Sequence, residues 1–133
     1  MIVVLDTNVV VSGIFFHGPP ASILEAWFEG RFEVYATPKI LEEYLRVLEE
    51  VGTLKSPPFE HRQWEEILLE RCRLIPDAEL SFILPRDPSD AKFLDCAIQL
   101  GADYLVSGDL DLRSFKGDLR FKVVSPRQFL HLL

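Results

Sequence analysis

Asp6 directly follows the apolar run Ile2–Leu5, and Asp109 follows Tyr104–Ser107 after a single glycine. Open parallel sheets place their sites outside the carboxyl ends of strands, at a topological switch point. Two aspartates at two such ends are what a shared site needs, although either alone is also accounted for as a loop or helix cap. Carboxylate and water oxygens suit hard divalent ions such as Mg²⁺ and Mn²⁺ rather than zinc. A gathering of acids at one sheet edge is therefore read as a place to hold such an ion.

Helical phase sorts the other acids. At about 100° per residue, Ile40, Leu41, Tyr44, Leu45, Val47, Leu48 and Val51 form one apolar face. Glu43 borders that face between Ile40 and Val47, where a carboxylate reaches into a cleft. Glu42 lies nearly opposite, with Arg46 four residues on, and is expected on the surface as its ion-pair partner. In the stretch from Asp87 to Leu100, the buried face is Phe93, Leu94, Ala97, Ile98 and Leu100, and Asp90 falls near its middle. Asp87, Pro88, Ser89 and Asp90 also fill the positions from N-cap to N3, so Asp90 has a capping explanation. A carboxylate turned toward a core without a partner costs several kcal/mol, however, and a metal or a hydrogen-bonded acid cluster offsets that cost. Asp95 is about 140° away around the helix; it is expected at the surface, with an outer metal ligand as its second reading.

The elements that must position these acids alternate strand with helix. Ile2–Leu5 suits a strand buried on both faces. Gly18-Pro19-Pro20 is a break, Ala21–Glu29 a helix ending at Gly30, and Phe32–Tyr35 a second strand. Thr37 and Pro38 supply an N-cap and a first-position proline for a helix through about Glu50. Gly52 to Pro58 reads as a loop, Phe59–Arg73 as a helix, and Leu74-Ile75 as a short strand. Asp87-Pro88 opens a helix that stops at Gly101; Tyr104–Ser107 and Val123-Val124 are strands, and a short helix follows Pro126. Strands interleaved with helices predict a mostly parallel sheet covered on both faces.

The composition bounds the rest. At 133 residues, 48% hydrophobic and 26% charged, the chain reads as one globular domain over 1–133. No apolar run reaches the ~18 residues of a membrane span, and the opening run lacks the basic flank of a signal peptide. Cys72 and Cys96 lie in helical patterns without C-x-x-C spacing, so reduced core thiols in a cytoplasm are expected rather than a disulfide or zinc site. The net charge is −7, yet residues 113–133 carry Arg113, Lys116, Arg120, Lys122 and Arg127 against Asp118 alone. The acid excess thus sits in residues 1–112, beside a basic flank, and polyanion binding is not excluded. His17, His61 and His131 fall in a loop, a helix and the terminus, none placed as a base. Trp27, Trp64 and the ten Phe are core residues by prior, with Phe15-Phe16 forming an exposed apolar lip as an alternative.

"VVLDTNVVVSGIF", "TPKILEEYLRVLEE", "DPSDAKFLDCAIQLGADYLVSGDLDL" and "VVSPRQFL" together resemble the PIN-domain family, and more narrowly the branch described as toxin components of toxin–antitoxin systems. Each motif is short; four in the right order and spacing cover essentially the whole chain. The resemblance implies a three-layer α/β/α sandwich around a mostly parallel twisted sheet of about five strands. It implies Mg²⁺- or Mn²⁺-dependent hydrolysis of phosphodiester bonds, usually of single-stranded RNA, with one or two ions, an antitoxin protein as partner and a homodimer. The family's acids fall on Asp6, Glu43, Asp90 and Asp109, and its small polar residues on Asn8 and Ser107. Ser107 stands where threonine is commoner and keeps the hydroxyl. Asp95 and Asp111 occupy places where members vary, and are carried as outer ligands only. Such an ion polarises the scissile phosphate and acidifies a bound water. Two other readings stand beside this one. A PIN-like domain without activity would serve as an RNA-binding or protein-interaction scaffold. A haloacid-dehalogenase-type phosphatase would need an acid where Asn8 stands.

Overall fold

Val3, Val4 and Leu5 expose none of their surface, as a continuous apolar run does when both faces of its sheet are covered. They lie in β1 (Ile2–Leu5) of a computed structural model that describes residues 1–55, 62–79, 88–109 and 121–133. The other strands are β2 (Glu33–Ala36), β3 (Arg73–Leu74), β4 (Tyr104–Val106) and β5 (Lys122–Val124). All pairings are parallel, in the order β3-β2-β1-β4-β5. The chain steps outward from β1 through β2 to β3, then returns past β1 to β4 and steps the other way to β5. Right-handed crossovers send the helices of these two excursions to opposite faces. The result is the expected α/β/α sandwich, with its switch point between β1 and β4.

Among the described residues six helices flank the sheet: α1 (Thr7–Phe15), α2 (Pro19–Phe28), α3 (Pro38–Thr53), α4 (Arg62–Arg71), α5 (Ala91–Leu100) and α6 (Pro126–Leu132). Between Ile2–Leu5 and Gly18 the sequence reading names no element; the stretch holds the β-branched run Val9-Val10-Val11. In the fold that run is buried on α1. Pro19 and Pro20, read as a break, occupy the first turn of α2, where a missing N–H costs nothing. Gly13 allows α1 and α2 to approach: a Cβ there would stand 2.7 Å from Leu24 Cδ1 and 2.8 Å from the Pro20 carbonyl.

Thr37 caps α3 as expected, its hydroxyl accepting from the Ile40 amide at 3.3 Å. The helix runs past Glu50 to Thr53, through the buried Gly52 that the sequence pattern marks as the start of a loop. Residues 56–61, including His61 and the expected start of α4, lie outside the described residues. α5 stops at Gly101, whose φ of 60° is left-handed. A capping box between Ser125 and Gln128 opens α6. Phe32, expected in the second strand, instead packs edge-on against Phe129 of α6 at 5.0 Å between ring centroids. Cys72 and Cys96 are free, buried thiols, pushed up to about 12 by burial. Among the described residues no single helix is long and apolar enough to cross a membrane.

Candidate metal centre

The site grows out of the last rungs of the sheet. Leu5 is in register with Val106, the Asp6 amide donates to the Val106 carbonyl at 2.9 Å, and the Ser107 amide donates to the Val124 carbonyl at 2.9 Å. Asp6 and Ser107 therefore leave adjacent strands side by side at the switch point. The Ser107 hydroxyl donates to Asp6 Oδ2 at 2.7 Å and accepts from the Asp109 amide at 2.9 Å. One fully buried hydroxyl thus ties the two strand-end aspartates together.

Burial pushes the Asp6 carboxyl above its ordinary value of 3.8. Hydrogen bonds from Ser107 and the Thr7 backbone pull it back, and repulsion from Asp109 and Glu43 adds to the rise. The carboxyl is only 6% exposed, so its negative charge asks for a positive partner.

Helix α3 brings Glu43. The Tyr44 hydroxyl, fully buried, donates to the Leu5 carbonyl. That bond joins the neighbour of Glu43 to the neighbour of Asp6 and so sets the distance between helix and strand end. Glu43 accepts the Thr7 hydroxyl on Oε2 and meets the Lys92 ammonium on Oε1 at 2.9 Å. Glu42 is exposed, as expected, but Arg46 does not pair with it. Arg46 lies 3.1 Å from Glu50 and 4.0 Å from Glu43.

Asp90 comes from the start of α5. A 3-10 turn over Pro88–Asp90 precedes the helix, so Asp90 stands at the N-cap of α5 rather than at N3. Its side chain makes no capping bond from that position; the other half of the capping explanation, Asp87, lies outside the described residues. The Asp90 side chain is buried and lines the same cavity as the other three acids.

That cavity, about 220 Å³, is lined by Asp6, Thr7, Asn8, Glu43, Val47, Ser89, Asp90, Phe93 and Asp109. Acids from four elements meet there, with Asn8 at the rim and Ser107 behind Asp6. Asp95 is corrected on one count, its exposure. It is buried rather than at the surface, and it lines a neighbouring cavity of about 400 Å³ with Lys39, Asp77 and Lys92. Asp111 lies outside the described residues. His17 and His131 are exposed, away from the cavity. Thr7 and Lys92 were missed, since nothing in local sequence links either to Glu43.

The donor set is all oxygen, and no basic side chain lines the cavity among the described residues. That chemistry fits a hard divalent ion. As they stand, no three acidic side chains among the described residues lie close enough to share one ion. Glu43 is engaged by Lys92 and Thr7 instead.

A family model described as "PIN domain" matches residues 2–111. The uncharacterized protein MJ1680 of Methanocaldococcus jannaschii is 28% identical over 138 aligned positions, covering 96% of this chain and 88% of its own. A chain from the crystal structure of VapBC2 from Rickettsia felis, bound to a DNA fragment from their promoter, superposes with a TM-score of 0.63. It is 19% identical, with 94% of this chain and 98% of that one covered, a likeness of fold.

Proposed function

This chain belongs to the PIN-domain family, and we propose that it is a Mg²⁺- or Mn²⁺-dependent endoribonuclease acting on single-stranded RNA, the toxin of a toxin–antitoxin pair. The observation that carries the proposal is the convergence of Asp6, Glu43, Asp90 and Asp109, from four different elements, on one cavity at the sheet's switch point. PIN domains are generally nucleases that use divalent metals, and the buried, raised carboxyl of Asp6 gives this member a physical need for a cation. The likeness to the VapBC2 chain supports an antitoxin partner. A homodimer rests on family resemblance.

In this reading the four acids hold one or two ions, which when bound supply charge to the scissile phosphate and a more acidic water. The protein's own part is positional. Ser107 orients Asp6 and Asp109 together, Tyr44 holds α3 against the end of β1, and Asn8 offers an amide at the rim where a phosphate or sugar would pass. Val47 and Phe93 form the apolar wall, which raises the strength of every charge interaction inside.

The test is to incubate the purified protein with labelled single-stranded RNA, with Mn²⁺ and with EDTA, beside Asp6→Asn. Cleavage that needs Mn²⁺ and disappears in the variant is expected. RNA that is bound but left whole in Mn²⁺ would sink the enzymatic reading in favour of a scaffold.

A further inference from the structure

Lys92 sits in the first turn of α5, two residues after Asp90, where a cation is opposed by the positive end of the helix dipole. Helix placement therefore does not explain it. Its ammonium meets Glu43 Oε1 at 2.9 Å, donates to the Ser89 carbonyl, and lies 5.1 Å from the centroid of the Phe93 ring. The Lys92 and Glu43 side chains are 19% and 20% exposed, whereas Arg46, the other cation near Glu43, is 56% exposed and 4.0 Å away. Glu43 Oε2 is taken by the Thr7 hydroxyl. Both carboxylate oxygens of Glu43 are thus engaged, one of them by a largely buried unit charge.

A divalent ion held by Glu43 in the acid cavity would compete with the Lys92 ammonium for one carboxylate and so lie close to it. Two positive charges that close in a partly buried setting repel strongly. We propose that Lys92 is the resident counter-ion of the site: it neutralises Glu43 when metal is absent and must release it when metal binds, so that it sets the metal affinity by competition. Lys92 is a positioning residue, acting through Glu43, and the inference rests on Glu43 being a metal ligand.

Calorimetric titration with Mn²⁺ tests it on wild type, Lys92→Gln, Lys92→Met and Lys92→Arg. Removing the charge should tighten Mn²⁺ binding by about fivefold or more, the scale of a partly exposed ion pair. Lys92→Arg should stay within about twofold of wild type, because the competing charge is kept, and Lys92→Gln should change nothing in a Glu43→Gln background. Binding that is unchanged or weaker in both uncharged variants overturns the inference while leaving the metal reading intact. So does equal tightening in Lys92→Arg, which would assign the effect to packing. Absence of Mn²⁺ binding in wild type and variants alike overturns the metal reading and this inference with it.

Discussion

Asp6→Asn separates what the acid does for the fold from what it does for function. Asparagine keeps the shape and an oxygen to accept the Ser107 hydroxyl, removes the charge, and replaces the second acceptor oxygen with an NH2 donor. The Asp6 carboxyl is raised above 3.8, chiefly by burial. Below that ordinary value it is protonated both folded and unfolded, and its full contribution to stability is present. As pH rises, the unfolded chain ionises first, so stability is lost until the folded carboxyl has ionised as well, and stays lost above that point. Each pH unit between the folded and unfolded pKa values is worth about 1.4 kcal/mol. For a chain of 133 residues, 1 kcal/mol moves Tm by roughly 3–5 °C. In EDTA at pH 7, Asp6→Asn is therefore expected to melt above wild type, by about 4 °C or more for every pH unit that separates those two values. The two proteins should converge near pH 4, and saturating Mn²⁺ should reverse the order, since only wild type gains a full ligand set. Melting curves from pH 4 to 8, with EDTA and with Mn²⁺, read all three effects. If the metal-free variant melts below wild type at pH 7, or the gap does not vary with pH, then ionised Asp6 is not a net cost to the fold and no cation is called for there.

Glu43→Gln should lower RNA cleavage by about tenfold or more, while Glu42→Gln, on the exposed side of the same helix, should leave it within about twofold; equal damage from both would refute the placement of Glu43 in the site. Tyr44→Phe removes the hydroxyl that binds the Leu5 carbonyl and should cost about 1–3 kcal/mol by urea denaturation, with weaker Mn²⁺ binding as α3 loses its tie to β1.

How far the sequence could be read depended on how each element is buried. Asp6 and Asp109 were legible because a strand buried on both faces is a continuous apolar run, and its end is marked by the first polar residue. Glu43 was legible by phase, since α3 has a defined inner face; Asp90 was found from the pattern of α5 although it stands just before that helix, at its N-cap. Phase failed for Asp95 because Phe93 through Ala97 are all buried; a helix covered around most of its girth leaves no outer side for the pattern to report. α1 was hidden for a related reason: Val9, Val10 and Val11 are all buried, so they carry no helical alternation and their β-branching argues for a strand. Arg46 was assigned to Glu42 from spacing alone, yet Glu43 and Glu50 compete for it. Lys92 and Thr7 reach Glu43 across elements, and such contacts have no local signature.

The backbone amides of Asp6 and Ser107 belong to the sheet's own ladder, and amides so placed exchange with solvent only when the ladder opens. Two of the cavity's walls are accordingly as rigid as the centre of the molecule, spaced by the fixed interval between neighbouring strands. Glu43 and Asp90 are carried outside that ladder, on α3 and at the start of α5, which meet it through side-chain packing and the Tyr44–Leu5 bond. The strand ends therefore behave like the fixed jaw of a calliper and the helices like the sliding one. An ion that is too small must draw the helices inward against their packing, α5 on β1 and β4 and α3 on β2, and that work would discriminate among cations of equal charge by radius.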